Sequence, residues 1–419
     1  MFSLPRRPKK KEPEKKEGIS TKQEGILREH TLDKGFLEEI ARDPDCKEIY
    51  NCIQCGVCTG ACPLSVSVRK LSPRKVIALT REGNTEALAE ALEIFEKCLL
   101  CGQCQTFCPA GIKIKEILLK LRELGFKLGK VPEGLMAVNE TVCDMFNAYM
   151  EPHANRKKWI ESTGLEKFAS KDKAKIGYFA GCTASYKGSE ICQADAKIFT
   201  ELNEDWTLLD EEWCCGTPLY YIGNTEKARE FAAHNVKEIE KKGVNVVITH
   251  CPTCWYVLKF KYPKLLNTDL KFKVMHITEY IIEQLNSGKI EISEKISEKV
   301  TYHDPCDLAR YSKLGMTDLP REIIGRFAEN FVEMPLHGKD SQCCGAGGLF
   351  DAVDTELRQQ HSTRRLKQAE DTGAEILITT CAGCKLFLSG EAEKEESKLV
   401  FKDLTELVYS SMHRRDVNV

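Results

Sequence analysis

The chain has 419 residues, of which 42% are hydrophobic and 30% charged, and its formal net charge is −2. That length suits two or three domains, and the near-neutral balance gives no sign of a nucleic-acid partner. The outlier is cysteine, with 21 residues. The N-terminus is charged and has no apolar signal-like segment, so the paired cysteines read as metal ligands rather than disulfides. No apolar run reaches the roughly 18 residues that a membrane-spanning helix needs. A reducing, anaerobic cytoplasm is the expected setting.

Residues 1–31 are rich in Lys, Glu and Pro. Nine basic and five acidic side chains in positions 1–30 give +4. The segment has too little apolar surface to offset its ordering entropy and reads as a solvated tail. A contact with anionic lipid or an acidic partner is the sharper alternative, weakened by the interspersed charges. A helix is expected over 32–50, with Phe36, Leu37, Ile40 and Ala41 on one side.

Two cysteine runs follow. Cys52, Cys55, Cys58 and Cys62-Pro63 have the spacing C-x2-C-x2-C-x3-C-P, and Cys98, Cys101, Cys104 and Cys108-Pro109 repeat it. This is ferredoxin spacing, in which the cysteine before proline crosses to the other cluster. One [4Fe–4S] cluster is therefore assigned to Cys52, Cys55, Cys58 and Cys108. The other is assigned to Cys98, Cys101, Cys104 and Cys62. Zinc competes for such sites, since it takes four thiolates and two CxxC pairs supply them. Two intact four-cysteine runs weigh against it. Helices are expected over 73–79 and 86–95, with Leu88, Ala91, Leu92 and Phe95 at helical spacing, and over 114–126. Residues 35–125 thus resemble the α-helical ferredoxin domain of succinate dehydrogenase iron–sulfur subunits. The unit is bounded at 32–128, and 129–172 reads as a helical connector.

Beyond residue 173 the pattern changes to short apolar strands alternating with helices. The strands 176–180 and 244–249 run into Cys182 and Cys251, with a helix over 225–242 between them. A second copy has strands at 300–303 and 375–379 and a helix over 354–370. Each copy carries five cysteines: Cys182, Cys214-Cys215-Gly216, then Cys251 and Cys254; and Cys306, Cys343-Cys344-Gly345, then Cys381 and Cys384. In the first copy 31 and 35 residues separate the three groups; in the second both gaps are 36. Neighbouring thiolates followed by glycine suit one compact metal centre approached closely by backbone. The expected fold is a duplicated α/β, Rossmann-like domain, 173–296 and 297–419, with mainly parallel sheets. Its cysteines fall past the strands' C-terminal ends, where open sheets place ligands.

The doubled C-x31–39-CC-x35–36-C-x2-C pattern, with glycine after each CC pair, behind two ferredoxin runs resembles the heterodisulfide reductase D-subunit family of methanogenic archaea, from about residue 35 onward. Iron–sulfur subunits of anaerobic glycerol-3-phosphate dehydrogenase, of glycolate and lactate oxidases and of sulfite-reducing complexes share the architecture, often with an incomplete first repeat. The resemblance implies two noncubane [4Fe–4S] clusters. One is held by Cys182, Cys214, Cys215, Cys251 and Cys254; the other is held by Cys306, Cys343, Cys344, Cys381 and Cys384. It also implies reduction of the mixed disulfide of coenzyme M and coenzyme B between them. A non-catalytic electron-transfer subunit of an anaerobic dehydrogenase or quinone-linked complex is the alternative.

His250 and His303 stand beside cluster cysteines as proton donors for the two product thiols; capping a loop or hydrogen-bonding a cluster sulfur is the plainer role. Lys187, Arg310 and Lys385 are weaker candidates for contacting an anionic substrate. Cys46, Cys143 and Cys192 fit no motif and are expected as structural thiols. No G-x-G-x-x-G links a strand to a helix, so no flavin or NAD site is expected. Electrons must then arrive from a partner, a membrane cytochrome b or a soluble flavoprotein. The chain would lie in the cytoplasm, or at the cytoplasmic membrane face through that partner.

Overall fold

The computed structural model describes residues 34–65, 67, 71–311 and 314–413. The charged segment 1–31 lies outside them.

The N-terminal unit is helical. Helix Lys34–Arg42 and the turn Lys47–Asn51 lead into the first cysteine run. Helices Pro73–Glu82 and Thr85–Phe95 pack side by side between the two runs. Each starts on a side-chain cap, Ser72 accepting from the Lys75 amide and Asn84 from the Ala87 amide. Such caps satisfy amides that a first turn otherwise leaves unpaired. Helix Ile114–Lys127 closes the unit, burying Ile117, Leu118 and Leu121. The connector holds helix Glu133–Met145 and shorter turns at His153–Ile160 and Glu166–Ala169.

Two four-stranded parallel sheets follow. The first comprises β1 (Ile176–Phe179), β2 (Trp206–Leu208), β3 (Val246–Thr249) and β4 (Lys273–His276), in the order β2-β1-β3-β4. The second comprises β5 (Ile296–Tyr302), β6 (Ala328–Phe331), β7 (Ile376–Thr379) and β8 (Val400–Asp403), in the order β6-β5-β7-β8. The orders match, as a duplication requires. In both sheets the order reverses between the first and third strands, which opens a crevice at their carboxyl ends. β1, β3 and β7 are buried almost throughout, as expected of parallel strands covered by crossover helices.

The repeats do not fold as separate globules. Ile176, Tyr178, Phe199 and Ile281 of the first share one apolar core with Tyr302, Ile324, Ile378 and Leu404 of the second. Helix Ser189–Glu201 packs on Leu404–Ser411, and Ile277–Asn286 on Asp318–Phe327. The ferredoxin unit joins the second repeat in another apolar cluster, where Leu64, Leu71 and Leu99 meet Phe350, Leu357 and Leu388.

Candidate iron–sulfur centres

Two cavities in the ferredoxin unit are lined by cysteine. One is bordered by Cys52, Cys55, Cys58 and Cys108, the other by Cys62, Cys98, Cys101 and Cys104. The fourth cysteine of each run thus stands with the first three of the other. The two loops are built alike. Gln54 and Gly56 have φ of +55° and +84°, Leu100 and Gly102 of +50° and +75°. A pair of left-handed residues curls each loop so that three sulfurs converge; at Gln54 and Leu100 this costs strain that only surrounding structure can hold. Amide groups already point at sulfur, with Gln54 Nε2 donating to Cys52 Sγ at 3.1 Å and the Leu100 N–H to Cys98 Sγ at 3.3 Å. Burial pushes the Cys62 thiol up to about 12 and Cys98 up to about 11. Thiols in such surroundings ionise at a cost that a bound cation offsets. Four thiols around each cavity fit a [4Fe–4S] group.

The ten cysteines of the repeats gather into two groups of five. In the first, Cys182 follows β1 at the start of helix Cys182–Lys187, and Cys251 follows β3 beside Cys254 of helix Pro252–Tyr256. Cys214 and Cys215 come from the loop after β2. The second repeat has the same plan, with Cys306 opening helix Cys306–Ala309 and Cys381 capping Ala382–Lys394. Thiol contacts run from Cys182 to Cys214, Cys215, Cys254 and Cys251. They run in the same order from Cys306 to Cys343, Cys344, Cys384 and Cys381. Each CC pair is therefore the middle of its group. Hydrogen bonds from Cys343 and Cys384 lower the Cys344 thiol to about 6, and those from Cys214 and Cys254 lower Cys215 well below the usual range. Gly345, at φ +97°, makes the turn beyond the pair; a Cβ there would lie 2.6 Å from Ser362 Oγ. Five converging thiols, at least one of them in each group already favouring ionisation, are a donor set suited to iron–sulfur binding.

Helices that carry cysteines of the two groups pack on one another across the repeats. Helix Pro252–Tyr256 of the first repeat packs on Cys306–Ala309 of the second, and Cys182–Lys187 packs on Ala382–Lys394. At the first crossing Thr253 donates to Asp307 Oδ2 at 2.7 Å. Lys115 of the ferredoxin unit reaches the other Asp307 oxygen at 2.8 Å, both side chains being buried. Its ammonium also lies 4.5 Å from the Tyr256 ring centre.

The two histidines have different surroundings. His250 is fully buried, Nδ1 facing Asp195 at 2.9 Å and Nε2 facing Asp403 at 2.8 Å. Burial lowers its pKa, but the Asp403 and Asp195 carboxylates outweigh burial and raise it well above the usual range. Both nitrogens are therefore engaged, in a clasp that joins the repeats. His303, also fully buried, accepts from Arg365 Nε at 3.0 Å through Nδ1. Burial, reinforced by Arg365, lowers its pKa well below the usual range, so the ring is neutral. One of its ring nitrogens and the sulfurs of Cys344 and Cys384 all lie within 4.8 Å of one another.

The charged candidates are all partnered. Lys187 pairs with Glu151, and Lys385 with Glu190 and Glu406. Arg310 donates to the carbonyls of Cys101, Lys339 and Ser341 and to the Gln103 side chain, tying the ferredoxin unit to the second repeat. Cys46, Cys143 and Cys192 stand outside the cysteine groups, Cys46 and Cys192 buried and Cys143 half-buried. Sequence reading missed Arg156, whose Nη2 donates to Cys182 Sγ at 3.3 Å while Nη1 pairs with Glu212 at 2.8 Å. It also missed Lys115 and Arg365. Arg156 and Arg365 lie outside the cysteine motifs, and Lys115 finds its partner Asp307 in the second repeat, so no motif announces them.

Residues 48–112 match the family model described as a 4Fe-4S dicluster domain, and residues 176–259 and 300–389 match that of a cysteine-rich domain. The chain is thus an iron–sulfur protein with a ferredoxin-type unit and a duplicated cysteine-rich unit. It is 33% identical over 391 residues to the D-subunit of the dihydromethanophenazine:CoB–CoM heterodisulfide reductase of Methanosarcina barkeri, covering 87% of this chain and 94% of that protein. It is 31% identical over 238 residues to the C-subunit of the anaerobic glycerol-3-phosphate dehydrogenase of Escherichia coli K12, covering 55% of this chain and 58% of that one. With the B-subunit of the fumarate reductase (CoM/CoB) of Methanothermobacter marburgensis it shares 26% identity over 366 residues, or 84% and 70% of the two chains. The identity and coverage shared with the first of these, together with both domain matches, place the chain in the heterodisulfide reductase D-subunit family.

Proposed function

We propose that this chain is the catalytic iron–sulfur subunit of a heterodisulfide reductase, taking the mixed disulfide of coenzyme M and coenzyme B to two thiols. The observation that carries this reading is the pair of complete five-cysteine groups with identical contact order, on helices that pack on one another across the repeats. Reduction of a disulfide consumes two electrons and two protons. Two cubane [4Fe–4S] clusters in the ferredoxin unit and two noncubane ones in the repeats would supply the electrons one at a time. Opposed sites let the protein hold both halves of a cleaved disulfide, so that neither leaves as a free radical. Asp307 and Thr253 tie the two repeats together at one crossing.

The layout also supports a direction. Cys55 is exposed, and Tyr50, Ile53 and Val57 beside it show large apolar side chains to solvent, Ile53 at 71%. Electrons would enter here from a partner, either a membrane cytochrome or a flavoprotein. The second cubane's cysteines abut the second repeat: Cys101 and Cys343 share an apolar cluster. Electrons would therefore reach the second five-cysteine site first. No helix among the described residues is long and apolar enough to cross a membrane, so membrane attachment would run through that partner. His303, next to the second site, is better placed than the clasped His250 to serve the reacting sulfurs.

Anaerobic assay of the reconstituted chain with reduced viologen and the coenzyme M–coenzyme B disulfide tests the reading. Thiol release at the rate of dye oxidation is expected. A chain that holds its full iron and passes electrons to a partner, yet leaves the disulfide intact, would instead be an electron-transfer protein.

A further inference from the structure

The twin sites are not equivalent. Tyr178 and Tyr302, and Cys182 and Cys306, are each 124 residues apart, and the same step pairs Phe179 of the first repeat with His303 of the second. A phenyl ring thus stands where the second repeat has an imidazole. The imidazole is fully buried, and Arg365 donates to its Nδ1 at 3.0 Å. A nitrogen that accepts carries no hydrogen, so the neutral ring must carry its hydrogen on Nε2. Arg365 cannot turn away easily, because it also donates to the Leu336 carbonyl, Gln368 and Ser341 Oγ. The ring's peptide is pinned as well, its N–H donating to Ile378 O at 2.8 Å and its carbonyl accepting from Thr379 Oγ1 at 3.1 Å. Yet Nε2 has no hydrogen-bond partner among the described residues. A buried donor left unpaired costs about 1–3 kcal/mol, and here the ring reaches to within 4.8 Å of the sulfurs of Cys344 and Cys384.

We propose that His303 is a positioning residue whose Nε2–H donates to a sulfur of the second five-cysteine site, raising the reduction potential of that site. This rests on the iron–sulfur reading of those sites. A hydrogen bond to cluster sulfur stabilises the reduced, more negative form, and so raises the reduction potential. The first site has no imidazole at Phe179; there Arg156, its charge paired with Glu212, donates to Cys182 Sγ at 3.3 Å. The arrangement draws electrons to the site that abuts the ferredoxin unit. It also makes the two ends of a bound disulfide meet different surroundings, as suits a substrate with unlike halves.

The test uses the full chain, reconstituted anaerobically with iron and sulfide, in a Cys215→Ala background that leaves the second site to be read alone. Potentials are followed by electron paramagnetic resonance for His303, His303→Phe and His303→Gln. His303→Phe should keep its iron, while its reduced-to-oxidised ratio at fixed potential falls about tenfold, a downward shift of about 59 mV. His303→Gln, which keeps a donor at the same reach, should recover most of the shift, and the ferredoxin clusters should not move. An unmoved potential with iron intact would overturn the proposal. So would loss of second-site iron in both variants, or strong nitrogen coupling in the parent, either of which would make His303 a ligand or a structural residue. A parent without iron beyond its ferredoxin clusters would overturn both this proposal and the iron–sulfur reading of the repeats.

Discussion

Gly347 lies against the carbonyl of Leu99: a Cβ added to Gly347 would sit 2.5 Å from the Leu99 oxygen and 3.2 Å from Cys343 Sγ. That approach joins a loop of the second ferredoxin cavity to a loop of the second five-cysteine site. Gly347→Ala must push the two apart, at a cost of about 1–3 kcal/mol for overpacking. Reduction driven by the physiological partner should then fall more than reduction by a small dye that reaches the repeats directly. Equal losses, or none, would show that this contact is not the electron path.

That contact also marks where sequence reading stopped. The four-cysteine groups around the two cavities were legible because three cysteines of each come from one short run whose geometry is local. The tandem repeat was legible because Gly243 and Gly373, and Cys251 and Cys381, keep the same 130-residue step. The short strands Trp206–Leu208 and Lys273–His276 were not, since neither runs directly into a motif cysteine as Ile176–Phe179, Val246–Thr249 and Ile376–Thr379 do. Nor was the union of cores. Leu64 and Leu99 of the ferredoxin unit are buried with Phe350 and Leu388 of the second repeat. Nothing in the periodicity of one helix names the partner that will cover it.

Arg122 should prove to be a structural pin of that junction. Its Nη1 donates to the Tyr221 and Gly348 carbonyls, both at 3.0 Å, and its Nη2 to the Cys98 carbonyl at 3.1 Å. One guanidinium therefore binds all three units. Arg122→Met would leave these carbonyls without that donor, with about 1–3 kcal/mol expected for each that stays buried and unpaired. Denaturant unfolding should report a loss of several kcal/mol, and Arg122→Lys, with one compact ammonium, should recover only part. Wild-type stability in Arg122→Met would contradict this.

His250→Gln tests the clasp between repeats. The substitution removes the cation from between Asp195 and Asp403, leaving two buried carboxylates uncompensated. Breaking a buried pair in this way costs about 3–5 kcal/mol. The expected result is a marked fall in melting temperature. A variant as stable as the parent, but inactive with dye and disulfide, would return His250 to the role of proton donor.

The crossed cubane sets predict an exchange of phenotypes. Cys108→Ala should disturb the cluster of Cys52, Cys55 and Cys58, the first three cysteines of the other run, and spare that of Cys98, Cys101 and Cys104. Cys62→Ala should do the reverse. Cluster spectra of the two variants separate the outcomes, because Cys55 is exposed whereas Cys101 and Cys104 are buried. If each variant instead damaged the cluster of its own run, the assignment would be wrong.

The central claim is that the disulfide is split between two sites that work as one. It is tested most directly by viologen-driven reduction of the coenzyme M–coenzyme B disulfide in Cys215→Ala, Cys344→Ala and the double variant. Circular dichroism and the spectrum of the remaining clusters must show each to be folded, since a lost metal can unfold its own surroundings. Groups acting as a unit give non-additive losses. The account predicts that either single change abolishes nearly all activity and that the double change costs little more. Substantial disulfide reduction by folded Cys215→Ala would contradict it and leave the first repeat as a relay.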